Sequence, residues 1–114
     1  NVNFPGADLQ FNLSGEELIQ LQKASAVYSL PDLTFQSEEG LDTIKLILRD
    51  KENDTSNTYD LTVAGCTTGT YSLDVKIENI RLLPGDYSVK VSKHLISEWT
   101  NTNVDLTYYI ALEP

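Results

Sequence analysis

The sequence predicts an all-β chain folded as a single Greek-key sandwich of seven to eight short strands, and three observations carry that expectation. Apolar and polar residues alternate at period two in one segment after another. Turn-forming clusters separate those segments by roughly 8 to 12 residues, the spacing of sandwiches and barrels. No stretch sustains the apolar period of a long helix, which leaves room for one short helix near residues 15–24.

In chain order, residues 1–7 are too short and irregular for a strand of the main sheet, so they are read as an N-terminal arm ahead of a sandwich domain spanning 8–114. Asp8 to Leu13 alternates Leu9, Phe11 and Leu13 with polar residues. Ser14, with Glu17 three residues on, forms a capping box before Leu18 to Ala24, which suits one or two helical turns; the same seven residues also fit a strand. Val27 to Leu30 and Leu33 to Phe35 are short strand candidates interrupted by Pro31, which favours an edge or a bend.

The next segments are more regular. Asp42 to Arg49 places Ile44, Leu46 and Leu48 on one face, and Thr58 to Ala64 does the same with Tyr59, Leu61 and Val63. The wholly polar run between them predicts a hairpin. Gly65 to Thr70 reads as a turn, and Tyr71 to Glu78 is the cleanest alternation in the chain. Leu83-Pro84-Gly85-Asp86 turns the chain into Tyr87, Val89 and Val91. Lys93 to Asn103, which contains Trp99, reads as a loop, and Leu106 to Leu112 is so nearly continuous in apolar residues that cover on both faces is expected. The expected core is Leu46, Leu48, Leu61, Val63, Leu73, Val75, Tyr87, Val89, Val91, Leu106, Tyr108 and Ile110.

A chain of 114 residues buries roughly two thirds of its surface in one core. Its formal charge of −9 repels phosphate backbones and anionic lipid, since both are bound through Lys and Arg. Nucleic acid and membrane are therefore excluded as partners at this stage. No run approaches the ~18 apolar residues of a membrane span. Cys66 is alone, so no intramolecular disulfide forms, and it reads as a small residue in a turn.

Catalytic, cofactor and metal sites are not expected. His94 is the single histidine, with Ser92, Ser97 and Asp86 near it in no recognised relay and no nucleophile elbow present. Asp50, Glu52 and Asp54 have the spacing of converging Ca²⁺ ligands, yet Thr55 and Leu61 stand where the calcium loop needs Gly and Glu, so a solvated hairpin tip is the reading; Glu38-Glu39 is read the same way. Asn12-Leu13-Ser14 and Asn53-Asp54-Thr55 match the glycosylation sequon. Trp99 with Tyr108 and Tyr109 suits either sugar stacking or core packing, of which packing is the commoner use.

The stretch Leu82-Leu83-Pro84-Gly85-Asp86-Tyr87-Ser88-Val89-Lys90-Val91 resembles the segment common near the end of Ig-like and fibronectin-like sandwiches, with Tyr87 at the tyrosine corner. Val89 stands where antibody domains have their second Cys, so the resemblance is to the disulfide-free bacterial and viral versions. The ending Ile96 to Thr102 and Asp105 to Glu113 resembles the last strands of small Ig-like structural proteins of bacteriophage virions. This resemblance implies a non-enzymatic capsid decoration, cement, tail or fibre protein located in the virion. Its partners would be other virion subunits or copies of itself, engaged through the arm residues Asn1, Val2, Asn3, Phe4 and Pro5 and through Trp99. The alternatives are a secreted carbohydrate-binding or adhesion module holding a glycan, and an extracellular filament subunit using strand addition.

Overall fold

The computed structural model describes residues 3–53 and 57–114. It contains strands β1 (Leu9–Leu13), β2 (Asp32–Ser37), β3 (Thr43–Arg49), β4 (Tyr59–Thr67), β5 (Tyr71–Lys76), β6 (Tyr87–Ser92), β7 (Ile96–Asn101) and β8 (Thr107–Ala111), and one helix, α1 (Gly15–Tyr28). The all-β class with seven to eight strands and a helix near residues 15–24 is what the sequence predicts. The strands run in the order β5-β2-β3-β4-β1-β6-β7-β8, and every pairing is antiparallel.

The same connection occurs twice. β1, α1 and the meander β2-β3-β4 form one half; β5, a single 3-10 turn at Ile77–Asn79, and the meander β6-β7-β8 form the other. The first strand of each half reaches across to the other half, β1 to β6 and β5 to β2. The end strands β5 and β8 meet only at one bridge, Asp74 with Glu113, which brings the sheet close to closure. A closed sheet removes exposed edges, so the places where closure fails become the informative ones.

The chain folds back on itself so that two layers share one core. Phe11 of β1 lies 5.8 Å from Phe35 of β2, and Phe35 lies 6.2 Å from Trp99 of β7, ring centre to ring centre. Tyr87 meets Trp99 edge-on at 6.4 Å. Aromatic pairs at these separations add roughly 0.5 to 1.5 kcal/mol each beyond the area they bury. Eight of the twelve expected core residues are buried, and Leu61, Leu73 and Tyr108 are partly buried against the core. Leu106 is half-buried at the entry to β8.

β4 serves both layers. Its residues Tyr59 to Ala64 pair with β3, and Gly65 to Thr67 pair with β1. The crossing point needs glycine: a Cβ on Gly65 would lie 2.7 Å from the Gln10 carbonyl oxygen and 2.8 Å from Cγ1 of Ile44. The polar run that the sequence presents as a turn is therefore the second half of a strand, and Cys66 is an exposed strand residue opposite Gln10.

Helix α1 starts at the capping box. Ser14 Oγ accepts from the Glu17 amide at 3.1 Å, and Glu17 Oε1 accepts from the Ser14 amide at 2.9 Å. Asp86, from the other half of the fold, accepts the Gly15 amide. Leu18, Leu21 and Ala24 form the buried stripe at helical spacing. The helix ends where Ser29 turns left-handed at φ 54° and Pro31 follows. It thus runs four residues beyond Ala24, and Val27-Tyr28 is helical surface, not strand: both side chains stand mostly in solvent.

Candidate functional site

Besides the end strand β5, whose far side meets only the Asp74–Glu113 bridge, two strand stretches lack a neighbour among the described residues. On β4 no strand is paired on the far side of residues 59–64 among the described residues, because β1 engages only Gly65 to Thr67. On β8 the side away from β7 is open along Thr107 to Ala111 until the bridge at Glu113. These stretches occupy equivalent places in the two halves of the fold. Free edges are normally blunted by Lys, Pro or a bulge. The β8 edge has no charged residue, the β4 edge has only Asp60, and neither has proline. The surplus of negative charge lies elsewhere, so it does not guard them.

The third exposed element is the side that carries α1. The buried stripe faces the core, while Glu16, Ile19, Gln20, Lys23 and Val27 face outward. Beside the helix runs the segment 80–86, held at one end by Gln22 Nε2 donating to the Ile80 carbonyl at 3.1 Å and at the other by Asp86 accepting from Gly15. In the duplicated plan this segment stands where a second helix would connect β5 to β6. Ile80 is buried with the core, and Arg81, Leu83 and Pro84 are exposed.

The outer face of β2, β3 and β5 carries an ion network. Lys76 Nζ lies 2.7 Å from Oδ1 of the buried Asp32, whose Oδ2 accepts the Lys51 amide at 2.9 Å. Lys51 Nζ lies 3.0 Å and an Arg49 Nη 3.3 Å from the Asp74 carboxylate, which also accepts from the Thr34 hydroxyl. Burial works to raise the Asp74 pKa, and the Thr34 and Lys51 contacts followed by Arg49 outweigh it and hold the carboxyl below its ordinary value. Asp8 is held low in the same way: burial opposes, while the Lys93 amide, the Thr68 hydroxyl, the Lys93 charge and the Tyr71 hydroxyl lower it. Charge balance and satisfied oxygens make the network structural.

The residues singled out from the sequence fall as follows. Trp99 is fully buried, its Nε1 donating to Ser97 Oγ at 2.8 Å while Ser97 Oγ donates to the Ile110 carbonyl. It presents no ring to an external ligand. The segment around it is strand β7, and the loop reading failed because two of its three inward positions are the polar Ser97 and Asn101, which hide the apolar alternation. Tyr87 is buried and its hydroxyl donates to the Leu83 carbonyl, pinning the Pro-Gly turn to the strand that follows. Asn3 and Pro5 are exposed and Phe4 half-buried; Asn1 and Val2 lie outside the described residues. His94 is exposed in the β6–β7 turn, where its amide donates to Ser92 Oγ. The Asp50 carboxylate accepts the Glu52 amide at 3.1 Å, and Asp54 lies outside the described residues, as does part of the sequon at Asn53.

Comparison with known proteins defines the class. A family model described as the gp45 sliding clamp, C-terminal, matches residues 10–114. The chain is also 30% identical over 116 residues to the sliding clamp of Vibrio phage KVP40, an alignment that covers 98% of this chain and 52% of that protein. The chain belongs to the gp45 sliding-clamp C-terminal family. It spans about half the length of the curated relative it matches.

Membership overturns several expectations. The chain is not an Ig-like virion domain, so the capsid-decoration and tail or fibre roles fall, with virion subunits as partners and the virion as location. The extracellular carbohydrate-binding, adhesion and filament readings fall with them. The Ig-like resemblance rested on Leu82 to Val91 and the virion one on Ile96 to Thr102 and Asp105 to Glu113, and the structure shows what the first of these encodes: a Pro-Gly turn locked by a buried tyrosine. Such a turn serves any β crossover, so it identifies a local geometry and not a family. The exclusion of nucleic acid is corrected as well. It was drawn from the total charge, which averages over faces and does not by itself exclude exposed cations such as Lys23 and Arg81 on the side bearing α1, where Glu16, Glu17, Glu78 and Asp86 also lie.

Proposed function

We propose that this chain is one domain of a ring-shaped DNA sliding clamp, a non-enzymatic processivity factor that keeps a polymerase on duplex DNA. The observation that carries the reading is the family match over residues 10–114. The acidic composition is compatible with it, because a closed ring holds DNA by topology and needs few phosphate contacts. The alignment leaves about half of the relative's length unmatched, enough for a second domain of similar size.

The open edges support the same reading. β4 and β8 are different strands, so joining one domain's β4 edge to the next domain's β8 edge is a head-to-tail contact, the kind that closes into rings. Helix α1 and segment 80–86 then lie together on one side, available to line the hole. The experiment is light scattering of the full-length protein with lysine introduced at Thr107 and Tyr109 on the β8 edge. Assembly into a multi-chain particle by the natural protein, lost in the double variant with its circular dichroism unchanged, supports the reading. A natural protein that stays a single chain at all concentrations contradicts it.

A further inference from the structure

We propose that Asp8 is a clasp that fixes where the chain arriving from the rest of the protein enters this domain, and that the joint between the two swings at Gly6. The inference rests on the clamp reading, in which the matched family is the C-terminal part and the remainder of the chain precedes it. Its starting point is an abrupt change in bonding. Asn3 to Ala7 form no hydrogen bond among the described residues, whereas Asp8 takes part in five. Its amide donates to the Val91 carbonyl at 2.8 Å, and its carbonyl accepts the Thr68 amide at 2.9 Å. Its carboxylate accepts the Lys93 amide at 2.8 Å on Oδ2, and the Thr68 hydroxyl at 2.9 Å and the Tyr71 hydroxyl at 3.4 Å on Oδ1.

These partners belong to three strands or their ends. Thr68 follows β4, Tyr71 opens β5, and Val91 lies in β6 with Lys93 just past its end. One residue therefore gathers the β4–β5 turn and the β6–β7 turn at the start of β1, and bonds to a carboxylate are roughly twice as strong as neutral ones. Lys93 and Tyr71 are the titratable groups that face it, and the Lys93 charge favours its ionised form. On the other side of the change, Gly6 has φ 114°, and beyond its chain neighbours no heavy atom lies within 4 Å of where a Cβ would stand. That backbone conformation is open to glycine and strained for a residue with a side chain. Pro5 has no amide with which to anchor the chain. A bend with nothing around it, just ahead of a residue held from three strands, places the swing at Gly6 and the fixed end at Asp8.

The test is made on the full-length protein. Amide exchange is read by mass spectrometry, and the spacing of the two parts by paired spin labels, one on Lys45→Cys in a Cys66→Ser background and one in the preceding part. Asp8→Ala removes the acceptor of the Lys93 amide directly but leaves the Asp8 carbonyl that the Thr68 amide uses, so a faster Thr68 reports the clasp as a whole. Both amides should exchange about tenfold faster, the effect of losing one charge-assisted hydrogen bond, and the label distances should spread. Asp8→Asn keeps the shape of the side chain and should show the same changes to a smaller degree with circular dichroism unchanged, which keeps the test decisive if Asp8→Ala fails to fold. Gly6→Ala should move the mean label distance and leave both amides as they are. Unchanged Thr68 exchange or unspread distances in the Asp8 variants overturn the proposal, as does a Gly6→Ala protein whose mean distance is unmoved. Light scattering is measured alongside. A protein that stays a single chain removes the clamp reading, whereas an assembling protein with unmoved Thr68 exchange removes only the clasp.

Discussion

Gln22 and Ile80, 58 residues apart in the chain, are joined by a hydrogen bond from the Gln22 side-chain amide to the Ile80 carbonyl. It fastens the one helix of the first half to the irregular connection that takes the helix's place in the second. Gln22→Ala leaves that carbonyl without its protein donor and should cost about 1 kcal/mol. Amide hydrogen exchange should quicken in residues 77–86 while the amides of β2 and β3 stay protected. Unaltered exchange in that segment would show that the bond does not hold it.

Ser97 is the hinge of the buried polar chain inside β7, accepting from Trp99 Nε1 and donating to the Ile110 carbonyl. Ser97→Ala removes both partners at once from a dry site and is expected to destabilise by roughly 1 to 3 kcal/mol. Trp99→Ala should cost about 3 to 5 kcal/mol through the cavity it leaves. Urea unfolding measures both. A Ser97→Ala protein with an unmoved midpoint would mean the indole finds another acceptor.

Gly65→Ala puts a methyl group against the backbone of Gln10 and the side chain of Ile44, neither of which can step aside without parting β1 from β4 or β3 from the core. The expected loss is roughly 1 to 3 kcal/mol, with no compensation from the reduced freedom of the unfolded chain. Thermal unfolding checks it, and a stabilised variant would refute the close crossing.

Asp74 ionises below its ordinary value of 3.8 because its hydrogen bonds and the Lys51 and Arg49 charges overcome burial. A lowered carboxylate pKa stabilises the fold fully above the unfolded value and loses that contribution as pH falls through the folded one. Stability should therefore decline below about pH 4, and Asp74→Asn should be less stable at neutral pH with a shallower acid decline. Urea midpoints across pH decide it; parallel acid limbs in the two proteins would contradict the assignment.

Strand periodicity made most of the fold legible. Ile44, Leu46 and Leu48, or Tyr87, Val89 and Val91, alternate cleanly because one face meets only apolar neighbours. β7 escaped detection since two of its three inward positions are polar, Ser97 bonded to Trp99 and Asn101 accepting the Asn103 and Val104 amides, and Gly65 hid the continuation of β4 because the crossing demands a residue with no side chain. The duplication was invisible in the residues: a helix in one half and an irregular segment in the other share no sequence pattern, and only the strand pairing relates them. Function was the least legible. Net charge excludes partners that must be gripped through phosphates, and a ring that encloses its partner is not bound by that exclusion. The edges of β4, with Asp60 alone charged, and of β8, with no charge, were in plain view as residues, but which strands lie at an edge is set by tertiary pairing.

The most direct measurement follows the full-length protein on DNA. Labelled protein is loaded onto nicked circular duplex, freed of unbound material by gel filtration, and the circle is then cut once. A sliding clamp remains on the intact circle and runs off the linear product, giving loss of co-eluting label after cutting and none before. Equal retention on circle and linear DNA, or no retention on either, would contradict the assignment of this domain to a ring that encloses DNA.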